Sequence, residues 1–410
     1  MFYICSTKII KVMILKKLFY SCLLLTIVFD GFSQTQSTSE LLGGVANPIH
    51  STVPFLTIAP DSRAGAMGDV GVATKPDASS QHWNAAKYAF LPGEMGFALS
   101  YTPWLRKLVN DINLAYLNFY KRFDDKQVLS ASLLYFSLGD IVFRSEFGDY
   151  VGQYRPNEFT LDLGYARLFT DNFSSALTLR FVRSDITGGG TVNNQEYNAG
   201  VSFAADLSTY YQKDIEIDGK SSQYAWGICL SNLGTKISYT DDTEKQFIPA
   251  SIRIGGRITM DLDDYNNISL ALDFNKMLVP TPPVYFTDST DSNGDNVLQY
   301  GRKQPTSLPL SWIQSFYDAP GGFKEEIHEI MYSIGAEYWY RDQFAIRAGY
   351  FHEHETKGNR KYFAAGVGLQ LNVFSLDFSY LIPTSGRNNP LANTMRFTLG
   401  LDFDKFREFR

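Results

Sequence analysis

Along most of this chain, large apolar residues alternate with small, polar or charged ones, as in Phe374-Ser375-Leu376-Asp377-Phe378-Ser379-Tyr380. Successive side chains of a strand point to opposite faces, so such a segment has one apolar and one polar face. A soluble sandwich buries the apolar face, whereas a membrane barrel turns it to lipid. Strand number and loop lengths decide between the two. The pattern predicts fourteen strands, near 95–103, 112–122, 127–138, 157–169, 173–183, 196–210, 223–231, 250–261, 267–275, 329–340, 343–352, 361–371, 373–382 and 394–403. An even number is what bacterial barrels use. The alternation is clean where Phe159, Leu161, Leu163 and Tyr165 oppose Thr160, Asp162 and Gly164, and where Phe397, Leu399, Leu401 and Phe403 oppose Arg396, Thr398 and Asp402.

The connections sort by parity. Short links fall at Phe123–Lys126, Thr170–Asn172, Asp263–Asn266, Arg341–Asp342 and Asn372, with Tyr211–Ser222 read as a longer turn on the same side. Long links fall at Trp104–Asp111, Leu138–Pro156, Ser184–Glu196, Ser231–Pro249, Lys276–Glu326, Glu353–Arg360 and Pro383–Asn393. Short periplasmic turns opposite long outer loops characterise an outer-membrane barrel, and a sandwich has no reason to produce them. The expected fold is therefore all-β, a 14-stranded antiparallel transmembrane β-barrel occupying residues 94–410. Charges of both signs (Asp162, Arg180, Arg253, Arg257, Asp273, Glu337, Arg347, Asp377, Arg396 and Asp402) fall on the non-lipid face. A midplane Arg facing lipid would cost roughly 2–4 kcal/mol. Inside a lumen the charges either pack a closed barrel or line a solute path.

The N-terminal region has another character. Lys16-Lys17, the apolar run Leu18–Phe29 and the small-residue zone around Gly31-Phe32-Ser33-Gln34 predict an export signal over residues 1–34, with Met13 as a second candidate start. The apolar run is too short to span a bilayer. Within residues 35–93, Ser51–Leu91 contains no clean strand; its glycines, Gly65, Gly68 and Gly71, fit a chain threading a tight space. The segment reads as a lumenal hatch or plug, with a short helix capped near Asp77–Ser80 and running through Lys87.

Composition narrows the chemistry. Cys5 and Cys22 precede Gln34, so only Cys229 remains afterwards and no internal disulfide is expected. The net charge of −6 argues against a nucleic-acid partner. No Gly-x-Ser-x-Gly elbow offers a hydrolytic nucleophile. His352 and His354 share a strand face but lack a third metal ligand, and Asp291, Asn293 and Asp295 begin a calcium-loop spacing that Asn296 and Arg302 break. No catalytic residue, metal or cofactor is expected.

The run Ala59-Pro60-Asp61-Ser62-Arg63-Ala64-Gly65-Ala66-Met67-Gly68, followed by Trp83-Asn84-Ala85-Ala86, resembles the hatch of FadL-like fatty-acid transporter barrels. Arg63, Gly65, Gly68, Trp83 and Asn84 carry the motif; Ala85 departs from the usual Asn-Pro-Ala. More closely, Leu42 through Tyr101 resembles the PorV family, outer-membrane proteins of the Bacteroidetes type IX secretion system. The resemblance implies a non-enzymatic outer-membrane protein. Its implied partners are a giant translocon channel, the C-terminal domains of secreted cargo, a surface attachment complex and outer-membrane lipid.

The residues available for protein partners lie in two long loops. Lys276–Glu326 carries Tyr285, Phe286, Trp312, Phe316 and Tyr317, and Leu138–Pro156 carries Phe143, Phe147 and Tyr150. Exposed aromatics anchor partners well, but aromatics also cover barrel mouths or sit at lipid interfaces. Two alternatives to cargo binding stand beside it. A transporter of hydrophobic small molecules would need an apolar path past the hatch. An enzyme acting on lipid A would need a Ser or His pair at the rim.

Overall fold

The computed structural model describes residues 46–403 except 108, 110, 145–146, 189, 193–194, 241–244, 291–295 and 385–390. The expected export signal and the Asp291–Asp295 spacing lie outside the described residues.

Fourteen strands close into one antiparallel barrel: β1 Met95–Pro103, β2 Asn113–Asp124, β3 Gln127–Ser137, β4 Asn157–Thr170, β5 Phe173–Asp185, β6 Gly200–Ile217, β7 Lys220–Gly234, β8 Ser251–Asp263, β9 Asn266–Met277, β10 Met331–Tyr340, β11 Phe344–His352, β12 Lys361–Gln370, β13 Phe374–Pro383 and β14 Met395–Asp402. Each pairs with its neighbour in sequence, and β1 closes the ring on β14 from Gly96↔Asp402 to Tyr101↔Phe397. No helix among the described residues is long and apolar enough to cross a membrane.

Burial is inside-out relative to a soluble protein. Leu163 is 67% exposed on the outer wall, while its neighbour Asp162 is 3% exposed in the lumen. Leu161, Leu179, Phe203, Ile254, Ile334 and Phe397 continue the apolar exterior. Exposed Phe123, Phe169, Tyr265, Tyr340 and Phe344 mark its short-turn rim, where interfacial aromatics are expected.

One turn differs from the sequence reading. Tyr211–Ser222 is strand almost throughout: β6 runs to Ile217, β7 begins at Lys220, and only Asp218-Gly219 turns. Both turn residues have positive φ, 51° and 78°, as a type I′ hairpin requires. The Asp-Gly pair is the local signal for this hairpin, and the mixed polarity of Lys213–Glu216 conceals it. The three-residue turn Arg341–Gln343 takes positive φ at Arg341 and Asp342 without glycine.

Residues 46–94 fill the lumen rather than add to the wall. The expected single helix near Asp77 is instead two 3₁₀ turns, Ser80–His82 and Ala85–Phe90, separated at Trp83-Asn84. The Asn84 side chain caps the second: its Oδ1 accepts from Ala86 N at 3.1 Å. Val53, Phe55 and Leu56 pack with Leu114, Tyr116, Leu134, Phe136, Val182, Ile237 and Ile248. Ala85, Ala86 and Tyr88 pack with Tyr120, Val128 and Tyr210.

Candidate functional site

The hatch is locked to the wall by hydrogen bonds and ion pairs that converge on its motif residues. Asp61 caps the short helix Ser62–Ala66, accepting from Ala64 N at 2.9 Å on one oxygen and from Trp83 Nε1 at 2.6 Å on the other. Arg63 donates from Nε and Nη2 to the two oxygens of Glu337 at 2.9 and 2.7 Å, and from Nη1 to Asp77 at 2.9 Å. Arg347 completes the chain, binding Glu337 at 2.6 Å and Asp377 at 2.5 Å. Asn84 Nδ2 donates to Val72 O at 3.0 Å and to Thr209 O of β6 at 2.9 Å. A buried charge is tolerated only when paired and hydrogen-bonded, and here the pairing partner sits on the other body.

The glycines make that approach possible. Gly68, at φ +71°, lies against the Tyr350 backbone, where any Cβ would collide. The wall answers in kind: a Cβ on Gly335 would sit 2.7 Å from Met67 Cβ, and one on Gly349 would overlap the Met67 backbone. A Cβ on Gly65 would lie 2.7 Å from the Arg396 side chain, itself 1% exposed.

A second lumenal knot has no hatch member. Arg180 binds Asp162 at 2.8 Å and Asp206 at 3.0 Å beside the β6–β7 register shift at Ala205/Leu207. The irregularity is thus filled by an ion triad.

Across the long-loop mouth, the 278–330 connection is a folded unit. It contains the hairpin Val284–Thr290 with Asn296–Tyr300 and the helices Leu308–Gln314 and Phe323–His328. Three buried glutamates tie it to the barrel. Lys276 binds Glu326 at 3.0 Å and Glu329 at 2.5 Å, and Lys357 binds Glu325 at 2.5 Å and Glu329 at 2.9 Å. Backbone N–H groups of Ala319 and Gly321 donate to Glu326 and Glu325 at 2.9 and 2.7 Å, and the Thr281 hydroxyl donates to Glu329 at 2.5 Å. Burial, followed by the charges of Glu326 and Glu329, pushes the nearby Asp318 carboxyl up to about 7. The sequence reading missed this knot; its only local trace is the Glu325-Glu326…Glu329 spacing, which places the acids on one side of a short helix and its C-cap.

The knot holds the apolar face outward. Leu310, Ile313, Phe316, Tyr317, Phe323 and Ile327 are exposed on the two helices and the link between them. Of the expected partner-binding residues, Tyr285 and Phe286 are exposed on the hairpin, Phe316 and Tyr317 are exposed, and Trp312 is half-buried. Arg302 lies 4.8 Å from the Tyr317 ring and Lys276 5.7 Å from the Phe316 ring. These five share one loop. Phe147, 92% exposed, and Tyr150 sit on a different one, the hairpin between β3 and β4; the Phe143 side chain lies outside the described residues. His352 and His354 diverge: His352 stacks on Tyr332 at 4.5 Å and His354 on His328 at 3.6 Å. Among the described residues, no group of three or more metal-ligating side chains occurs.

A closed fourteen-stranded barrel with an apolar outer wall and an N-terminal segment packed in its lumen defines an outer-membrane β-barrel protein. The family profile of "Type IX secretion system protein PorV" matches residues 45–284, and the chain belongs to that family. No curated relative matches the sequence. Similar solved structures include a TodX monoaromatic hydrocarbon channel mutant (12% identity, 84% of this chain and 99% of that one, TM-score 0.46). Others are the Ralstonia pickettii toluene transporter TbuX (12%, 84% and 97%, 0.42) and a Pseudomonas aeruginosa FadL homologue (9%, 88% and 100%, 0.40).

Proposed function

We propose that this protein is a non-enzymatic component of the type IX secretion system that binds the C-terminal signal domain of secreted cargo at a giant translocon channel and delivers it to a surface attachment complex. The observation that carries this reading is the family match over residues 45–284. The filled lumen supports it: residues 53–91 occupy the path a solute would take, leaving the outer loops as the working surface. The buried glutamate–lysine knot supports it too, because it fixes a loop whose exposed face is aromatic and aliphatic. The alternative, transport of hydrophobic small molecules, needs a continuous apolar path; Arg63–Glu337 and Arg180–Asp162 interrupt the lumen with buried ion pairs instead.

The test is to purify the tagged protein from native outer membrane in mild detergent and identify what accompanies it. The expected result is a very large channel protein together with secreted proteins sharing one C-terminal domain. A barrel that emerges alone, carrying fatty acid or another lipid, overturns the reading.

A further inference from the structure

One lumenal cation has no anionic partner and no hydrogen bond among the described residues. Arg253, on β8, is 7% exposed, and its Nη1 is buried without a hydrogen-bond partner. Its guanidinium lies over the Trp83 ring, 5.1 Å from the centroid. It borders a cavity of about 330 Å³ between β8–β11 and residues 48–57, near the long-loop mouth. A buried, unpaired guanidinium is costly, so the site is incomplete as it stands.

The other charges around the cavity are already engaged. Glu329 is held by Lys276 and Lys357, and Glu353 by Arg360 at 2.8 Å. Asp273 Oδ2 accepts from Gly71 N and Val72 N at 2.7 and 2.9 Å. What remains is one cationic donor, Arg253, and three buried acceptors without hydrogen bonds: Asp69 Oδ1, which Arg396 reaches only at 3.7 Å, Asp273 Oδ1 and Asn275 Oδ1. Met277, Met331 and Phe351 supply apolar wall.

We infer that this cavity receives the terminal α-carboxylate of a polypeptide, with Arg253 as its anchor. Arginine recognises carboxylate through parallel N–H···O bonds, and the amide N–H groups next to a chain terminus supply the donors that the three acceptors need. An acyl carboxylate would satisfy Arg253 but leave those acceptors unmet, and a phosphate would bring more acceptors to Asp69 and Asp273. The volume lies at the lower end of ligand sites, about 300–1,000 Å³, so it fits a chain end and not a folded domain. The inference rests on the cargo-binding reading and names the part of the cargo that enters the barrel.

The experiment uses the full protein in detergent. Its probe is the last twenty or so residues of a secreted protein that co-purifies with it, made once as the free acid and once as the C-terminal amide. The free acid is expected to bind about tenfold or more tighter than the amide, a factor typical of losing one charge-assisted contact. Arg253→Gln is expected to erase the difference, and dodecanoate is expected not to compete. The acid-versus-amide comparison on the unaltered protein needs no variant and stands even if Arg253→Gln misfolds. Equal binding of acid and amide overturns the site while leaving cargo capture intact. Displacement by dodecanoate through Arg253 overturns it in favour of an acyl ligand. Failure of any secreted protein to co-purify overturns both readings at once.

Discussion

Arg63 and Glu337, 274 residues apart in sequence, face each other in the lumen through two parallel N–H···O bonds of 2.9 and 2.7 Å. Glu337 simultaneously accepts from Arg347 at 2.6 Å, so one carboxylate neutralises the hatch and the wall together. Glu337→Gln removes the shared carboxylate but leaves Arg63 with Asp77 and Arg347 with Asp377. The expected cost is about 3 kcal/mol, the lower end of the range for breaking a buried pair by removing one partner. Urea unfolding of the purified barrel checks this, and an unchanged midpoint would mean that the hatch is not held electrostatically.

Gly349 seats the hatch sterically. A side chain there would meet the Met67 backbone rather than a movable side chain, so Met67→Ala offers no relief. Gly349→Val is expected to displace residues 62–73 from the wall, with a local cost of about 1–3 kcal/mol or more. In planar bilayers the variant should show ion conductance above that of the native protein. Equal conductance of the two counts against the hatch as the lumenal seal.

Asp318 makes the long loop sensitive to pH. Its carboxyl is raised from the ordinary 3.8 to about 7, first by burial and then by Glu326 and Glu329, with Lys276 opposing. A group raised on folding favours the folded state below its unfolded value and loses that contribution as pH climbs through its folded one. Hydrogen-exchange protection of residues 278–330 is therefore expected to fall as pH rises from about 4 to about 7. Asp318→Asn should flatten that profile and protect the loop better above pH 7, since Oδ1 still accepts from Thr281 N. A variant as pH-dependent as the parent places the titration elsewhere.

The exposed loop aromatics separate binding from stability. Phe316 and Tyr317 are about half exposed, so replacing both by Ala should change the unfolding free energy by no more than about 0.5 kcal/mol each. Capture of secreted proteins should fall roughly 30-fold or more if they anchor a partner, since an interface hot spot carries about 2 kcal/mol. Undiminished capture, quantified from detergent-solubilised membranes, would remove this face from the partner surface.

The barrel was legible in sequence because its determinants are local. Leu163 outward and Asp162 inward follow from a two-residue period, and the parity of loop lengths follows from counting along the chain. The one misread connection, Tyr211–Ser222, failed because Lys213 and Ile215 share one face and Asp214 and Glu216 the other, so the apolar alternation lapses while β6–β7 hydrogen bonding continues. Only Asp218-Gly219 held the local clue.

The sequence by itself determined the strands, their facing and the existence of a glycine-spaced segment ahead of them. Tertiary structure decided which lumenal charges meet. Arg63 finds Glu337, Arg180 finds Asp162 and Asp206, and Arg253 finds no anion. Alternation says that a side chain points inward; it carries no information about which strand lies across the lumen. That depends on closing the ring and threading residues 46–94 through it, and both are relationships between segments far apart in the chain.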